Sequence, residues 1–267
     1  GLAFRHIDYS LPATGHSDWQ AAVSIPAAIQ VDGARNVAFT RCDVRNIGRY
    51  GLWFRQGCRE CRVEQSEFTD LGAGAIRIGE EGIRDRVAEA TSHCSVTNCF
   101  IHDGTNVYYG AIPVWIGQSS DNTISHNEIC DFNYTGISVG WSWGFRPTAC
   151  HRNTIEFNHL HHLGRGVLYD MAAIYTLGIS TGTVIRNNHI HDVWGFAEGY
   201  GAGGIYPDEG STGLLIENNL VYRTENGGLT IHYGRDIVAR NNIFALGQRS
   251  QVHLGRPDME SNQTLQH

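Results

Sequence analysis

Residues 170–178 read DMAAIYTLG, residues 182–195 read GTVIRNNHIHDVWG, and residues 201–210 read GAGGIYPDEG. Two Gly- and Ala-rich segments, each with an Ile-Tyr pair, flank one Asn-Asn turn. Each pair has an acid beside it: Asp170 before the first, Asp208 and Glu209 after the second. Apolar and other residues alternate in both segments, the period of a strand whose successive side chains point to opposite faces.

The unit recurs along the chain. Aligned on apolar-x-x-Asn-x-apolar, the first column reads Phe4, Phe39, Val63, Val96, Ile124, Ile155, Ile185, Ile216 and Ala239. The Asn column reads Ile7, Cys42, Ser66, Cys99, Asn127, Asn158, Asn188, Asn219 and Asn242, and the third reads Tyr9, Val44, Phe68, Ile101, Ile129, Leu160, Ile190, Val221 and Phe244. Nine copies line up at steps of 23 to 35 residues, and a second alternating strand follows each copy from the second onward. Helical repeats would need a 3.6-residue period and leucine-rich repeats a leucine consensus; neither is present. The fold expected is all-β, a right-handed parallel β-helix of about nine coils stacked about 4.8 Å apart. The asparagines from Asn127 to Asn242 are expected to form an internal ladder, tolerating the left-handed bend and bonding amide to amide.

In the second strand, strict alternation sends one column outward: Trp53, Arg77, Trp115, Ser138, Tyr175, Tyr206, Thr230 and His253. Two residues earlier the same logic yields a floor of small residues: Gly51, Ala75, Pro113, Gly136, Ala173, Gly204 and Gly228. Two residues later come Leu177, Asp208 and His232 on successive coils, so Asp208 and His232 are expected neighbours. Aromatic rings beside small residues, with carboxylates, Arg and His at hand, suit a sugar, whose C–H faces stack on rings and whose hydroxyls hydrogen-bond. Aromatic loops ahead of the strand, at 106–109, 165–170 and 194–200, would wall the groove, with Trp141 and Trp143 opposite. A straight strand would hold Asp170 far from Asp208, so their pairing requires a bend between Asp170 and Ala173. Glu198 and Glu209 stand in reserve. The columns His102, His161, His191 and Asp70, Asp103, Asp131, His162, Asp192 fall where turns need polar residues, so no metal and no cofactor are expected.

Composition narrows the choices further. The chain of 267 residues carries 32 glycines, a net charge of −7 and 20 basic residues, all of them Arg. Lysine-based chemistry is thereby removed, and the acidic balance argues against a nucleic-acid partner. No run of 18 apolar residues occurs, so no membrane-spanning helix is expected. Seven cysteines, with Cys58 and Cys61 in a lone CxxC, read as small apolar residues stacked inside the fold. The chain opens inside a repeat. We expect one β-helix domain over residues 1–267, part of a longer β-helix with coils before Gly1 and after His267.

Together the blocks GCREC (57–61), DLGAGAIRIGE (70–80), DMAAIYTLG (170–178), YPDEGS (206–211) and HYG (232–234) resemble right-handed parallel β-helix glycoside hydrolases, and are most similar to glycoside hydrolase family 141. The resemblance implies α-L-fucosidase- or xylanase-like cleavage of plant or other complex glycans by two Asp, which fall here on Asp170 and Asp208. Ala172-Ala173 departs from the usual Gly-Gly, and Leu229-Thr230-Ile231 from a more polar run.

The expectation drawn is a glycoside hydrolase acting outside the cell or in the periplasm on a carbohydrate substrate. Asp170 and Asp208 would be the catalytic pair, His232 would orient Asp208, and Arg77, Trp115, Trp141, Tyr175 and Tyr206 would bind sugar. A sugar ring between the two acids would hold them apart, which favours inversion. Two other readings of the fold stand beside it: a polysaccharide lyase or uronate epimerase, with Arg77 or Arg55 neutralising the uronate, and a non-catalytic carbohydrate-binding β-helix.

Overall fold

The structure is a computed structural model that describes residues 1–11, 13, 18–256, 258–259 and 263–266. Three parallel sheets of nine, nine and ten strands run the length of the molecule. The first runs from Ala3–His6 through His159–Leu163 and His189–Val193 to Ile243–Ala245. The second runs from Ala27–Val31 through Met171–Thr176 and Ala202–Pro207 to Val252–Leu254, and the third from Ala38–Thr40 through Ile179–Arg186 to Gln263–Gln266. Among the described residues the one helical element is the 3₁₀ turn Val87–Glu89. The chain visits the third, first and second sheets in turn, and each circuit stacks on the last, which makes a parallel β-helix.

The repeat columns are the stacking registers. Phe39, Val63, Val96, Ile124, Ile155, Ile185, Ile216 and Ala239 pair in sequence along the third sheet. One copy is out of place. Phe4 pairs with Val44 in the first sheet rather than joining the third, and Ile7 and Tyr9 are exposed. Residues 3–6 of this copy form a first-sheet strand, and Ile7 and Tyr9 follow it outside any strand, so its apolar spacing does not reproduce the register of the other copies.

Three bends per coil turn the chain from sheet to sheet, and each uses a left-handed residue. At one corner these are Asp70, Asp103, Asp131, His162, Asp192 and Arg223, with φ between 50° and 60°. Asp, unlike most residues, visits this region at small cost, which accounts for that acidic column. At the corner before the Asn column the left-handed residues are His126, Phe157, Asn187, Asn218 and Asn241, so the bend falls one position ahead of the ladder asparagine. The ladder itself is a chain of side-chain bonds. Asn158 Nδ2 donates to Asn188 Oδ1 at 3.0 Å and to the Ile124 carbonyl at 2.9 Å, while its Oδ1 accepts from Asn127 N at 3.1 Å and Nδ2 at 3.0 Å. Truncating it orphans buried donors on Asn127, each worth about 1–3 kcal/mol. Asn158→Ala is therefore expected to lower the unfolding free energy by about 3 kcal/mol, read as a drop in urea midpoint at unchanged slope. A midpoint equal to that of the parent would show that the ladder does not stabilise the stack.

Inside, large and small columns interlock. A Cβ on Gly204 would sit 2.2 Å from Val221 Cγ1, one on Gly136 2.8 Å from Leu163 Cδ1, and one on Gly51 3.1 Å from Phe68 Cδ1. The small-residue column thus faces the interior, against the bulky residues of the first sheet, and is not the floor of an external groove. All seven cysteines are buried free thiols, and Cys58 and Cys61 lie in the main core.

Candidate active site

Strict alternation fails at one step of the second sheet. Met171, Ala173 and Ile174 all pack in the main core, whereas Ala172, Tyr175 and Leu177 form a separate cluster on the outer side. Ala173 and Ile174 are consecutive and both face in, so every residue before this step is shifted by one. The outer floor is therefore Ala172 and its paired neighbour Gly203, with Tyr175 and Tyr206 beside them. The bend expected between Asp170 and Ala173 lies at Asp170 itself, which has a φ of 57° and donates its N–H to the Gly201 carbonyl at 3.0 Å.

Over this floor lies a cleft of about 420 Å³. Asp170, Tyr175, Tyr206, Asp208, Glu209 and His232 all line it. Asp208 is buried at 6 % exposure and accepts from two sides: the Tyr175 hydroxyl at Oδ2 and His232 Nδ1 at Oδ1, 2.7 Å away. The Tyr206 hydroxyl donates to Asp170 Oδ1 at 3.4 Å, and Asp208 also lies close enough to raise the pKa of this phenol. One hydroxyl thus stands between two carboxylates. The Tyr175 and Tyr206 rings meet edge to face at 5.4 Å.

The two acids differ in their electrostatics. Burial, and then the charge of Asp208, push the Asp170 carboxyl up to about 6. Burial and Asp208 likewise drive the Tyr175 and Tyr206 phenols above their ordinary range, so both remain hydrogen-bond donors. Near neutral pH the pair holds one group close to its protonation midpoint, Asp170, and a second, Asp208, bound by donors on both oxygens.

The expected sugar-binding residues divide. Tyr206 and Tyr175 line the cleft, though Tyr175 is only 2 % exposed. Trp141 stands behind Trp143, their rings 5.0 Å apart, and it is Trp143 that lines the cleft. Arg77 and Trp115 do not reach it, for both are fully buried. Residues 18–25 fold back across the outer face of the early coils: Tyr50 donates to the Ala21 carbonyl at 2.5 Å and Arg77 Nη1 to the Ile25 carbonyl at 2.9 Å. Beneath this cover the Arg77 guanidinium stacks 3.8 Å from the Trp53 ring and 4.9 Å from that of Trp115. Arg77 thus serves as a cation–π filling rather than a sugar ligand. Gln20, from the same segment, also lines the cleft. Glu209 sits at the rim, bonded by the Tyr233 hydroxyl at 3.1 Å, while Glu198 is exposed on the 194–200 loop and does not line the cleft.

Sequence reasoning passed over Thr230, Asn226, His253 and Arg256, which also line the cleft. Thr230 Oγ1 is a buried hydroxyl with no partner, lying beside the floor glycine. Buried polar groups are normally bonded, so an orphan hydroxyl at a cleft is a place for a ligand atom. Its signal was present in the column Tyr175, Tyr206, Thr230, where a small polar residue follows two aromatics.

The right handed beta helix region family matches residues 27–173 and 150–256, and the chain belongs to that family. No curated protein sequence matches. Among solved structures, a glycoside hydrolase superposes with a TM-score of 0.69 at 22 % identity, covering 85 % of this chain and 38 % of its own. An alginate lyase from Paenibacillus sp. str. FPU-7 superposes at 0.55 and 15 % identity, covering 85 % and 87 %. PfbA, a surface adhesin of Streptococcus pneumoniae, superposes at 0.56 and 13 % identity, covering 88 % and 63 %. The chain thus spans under two-fifths of the length of that glycoside hydrolase. At these identities the likeness is one of fold, and it includes the right-handed coil expected from the sequence.

Proposed function

We propose that this β-helix is the catalytic part of a glycoside hydrolase, with Asp170 as general acid and Asp208 as general base. The observation that carries the reading is the unequal carboxyl pair joined through Tyr206, one acid raised to about 6 and the other held by Tyr175 and His232. Hydrolysis of a glycosidic bond needs such an inequality, since one carboxyl must give a proton while the other takes one. The sugar ring lies over Gly203, between the acids, with Trp143 and Tyr206 against its faces and Thr230 beside it. Asp170 protonates the leaving oxygen. Asp208 takes a proton from the attacking water and becomes a neutral carboxyl, with His232 Nδ1 holding it in position. Water between Asp208 and the anomeric carbon gives inversion.

The modest cleft of about 420 Å³ supports a short site that takes a terminal sugar, in line with the α-L-fucosidase side of the family 141 resemblance rather than the xylanase side. One second reading has an observation of its own. Arg256 lines the cleft and, although paired with Asp258, is placed to neutralise a uronate, whereas Arg77 is buried and Arg55 does not line the cleft.

A single experiment separates these. Purified protein is incubated with a panel of deoxyhexose-capped oligosaccharides, xylans and uronate polymers, and early products are followed by proton NMR and near-ultraviolet absorbance. The expected result is release of a reducing monosaccharide with inverted anomeric configuration. A product that absorbs in the near ultraviolet selects the lyase, a retained anomer rejects the water-activating role of Asp208, and turnover of no substrate leaves a binding β-helix.

A further inference from the structure

The first sheet carries a second cluster of chemistry on the opposite side of the coil from the cleft residues. His159 and His161 flank the inward Leu160, and His189 and His191 flank the inward Ile190 one coil on. Register places His159 beside His189 and His161 beside His191, so four imidazoles form a two-by-two grid. The rings of His159 and His189 are parallel within 6° at 4.6 Å.

We propose that His159, His189 and His191 form a binding site for a divalent transition-metal ion, with zinc or copper as the favoured occupant. One donor atom from each of the three lies within 4.8 Å of the others. His159 Nε2 faces His191 Nε2 at 2.9 Å. Two imidazole nitrogens at that distance share one proton, and a metal ion can take that proton's place.

A second observation points the same way. His191 Nδ1 bonds Asp192 Oδ2 at 2.6 Å, and Asp192 Oδ1 accepts from Arg223 Nε at 2.9 Å. The carboxylate keeps the His191 proton on Nδ1 and leaves Nε2 as a free lone pair directed at the cluster. Carboxylates orient metal-bound histidines in this way. Three imidazoles and one solvent position suit zinc, and copper binds such nitrogen sets more tightly still. Glu128 adds a negative charge beside the set, its Oε1 3.2 Å from His161 Nε2. The expectation of no metal rested on reading these columns as turn residues. That reading holds for Asp192 and His162, which are left-handed, but the four histidines of the grid are strand residues.

The two strands lead straight into the loops around the cleft. His159–Leu163 runs into residues 164–170, which end on Asp170, and His189–Val193 into residues 194–200, which end on Tyr200. A metal bridging them would clamp the two coils that carry the proposed acid and its wall.

The test uses the full chain without a histidine tag, stripped with chelator. Zinc chloride is titrated by calorimetry at pH 7.5, and one equivalent of copper(II) is examined by electron paramagnetic resonance. The expected result is one zinc per chain with micromolar or tighter affinity, and copper hyperfine structure from several imidazole nitrogens. His159→Gln/His191→Gln is expected to weaken zinc at least 30-fold, and His93→Gln, away from the grid, to leave it unchanged. Should the double variant fail to fold, His189→Gln replaces it, with a loss of at least tenfold expected. No saturable zinc binding by the parent, or equal binding by the grid variants, overturns the proposal.

Discussion

Asp208→Asn is expected to lower kcat/KM by about 10⁴-fold, the upper range for removing a general base. Asparagine keeps the shape of the side chain. It cannot take the proton of the attacking water, and its amide meets Tyr175 or His232 as a second donor where the carboxylate accepted from both. The loss should therefore be the same for good and poor leaving groups, because water attack is impaired in either case. Retained substrate affinity, measured by calorimetry, would show that the cleft is intact. An active Asp208→Asn enzyme would remove Asp208 from the chemistry and turn attention to Glu209 at the rim. Variants of both acids that bind glycan like the parent, where the parent itself has no turnover, would identify a binding protein.

Asp170→Asn is expected to behave differently. An acid is needed only where the leaving group is poor, so kcat/KM should fall about 10³-fold on natural glycans and far less on an activated aryl glycoside. The pH profile adds an independent reading. Asp170 must be protonated to act, and its carboxyl sits at about 6, so the parent's kcat/KM should decline as pH rises through that value. The variant should lack this alkaline limb.

The Asp170→Asn substitution should move stability the opposite way from activity. The folded carboxyl at about 6 lies above its ordinary 3.8, so the folded state holds this proton more tightly than the unfolded chain does. The contribution is complete below 3.8 and is lost as pH rises through about 6. At pH 7.5 the buried charge costs on the order of 1–3 kcal/mol, which the neutral asparagine relieves. Asp170→Asn should accordingly be the more stable protein at pH 7.5 and lose that advantage at pH 4. A melting temperature that ignores pH in both proteins would mean that Asp170 is solvated and not poised as an acid.

What the sequence disclosed was whatever repeats. The Asn ladder, the apolar columns and the adjacency of Asp208 to His232 each follow from stacking one coil on another, and a column read over eight coils averages out local exceptions. What escaped was what strict alternation cannot show. Two consecutive inward residues, Ala173 and Ile174, break the alternation, so the small column was assigned to the wrong side. Alternation says which way a side chain points, not whether something lies on top of it. Residues 18–25 belong to no repeat, yet they cover the face on which Arg77 and Trp115 were expected to meet sugar. Asp170 was legible as an acid beside the repeated Ile-Tyr pair, whereas its raised proton affinity depends on burial under loops with no column of their own.

The cysteines have a consequence outside catalysis. All seven lie between Cys42 and Cys150, and burial, the largest cause, pushes thiols such as Cys94 and Cys150 up to about 12. A thiol reacts as thiolate, so these are silent while the coils stay closed. A stack in which each coil touches only its neighbours opens by segments rather than all at once. The coils from Cys42 to Cys150 therefore carry built-in reporters of their own opening, the last of them at the start of the coil that holds Asp170. Thiol-directed reagents that modify this protein would record the fraying of those coils rather than events in the cleft, whose lining holds no cysteine.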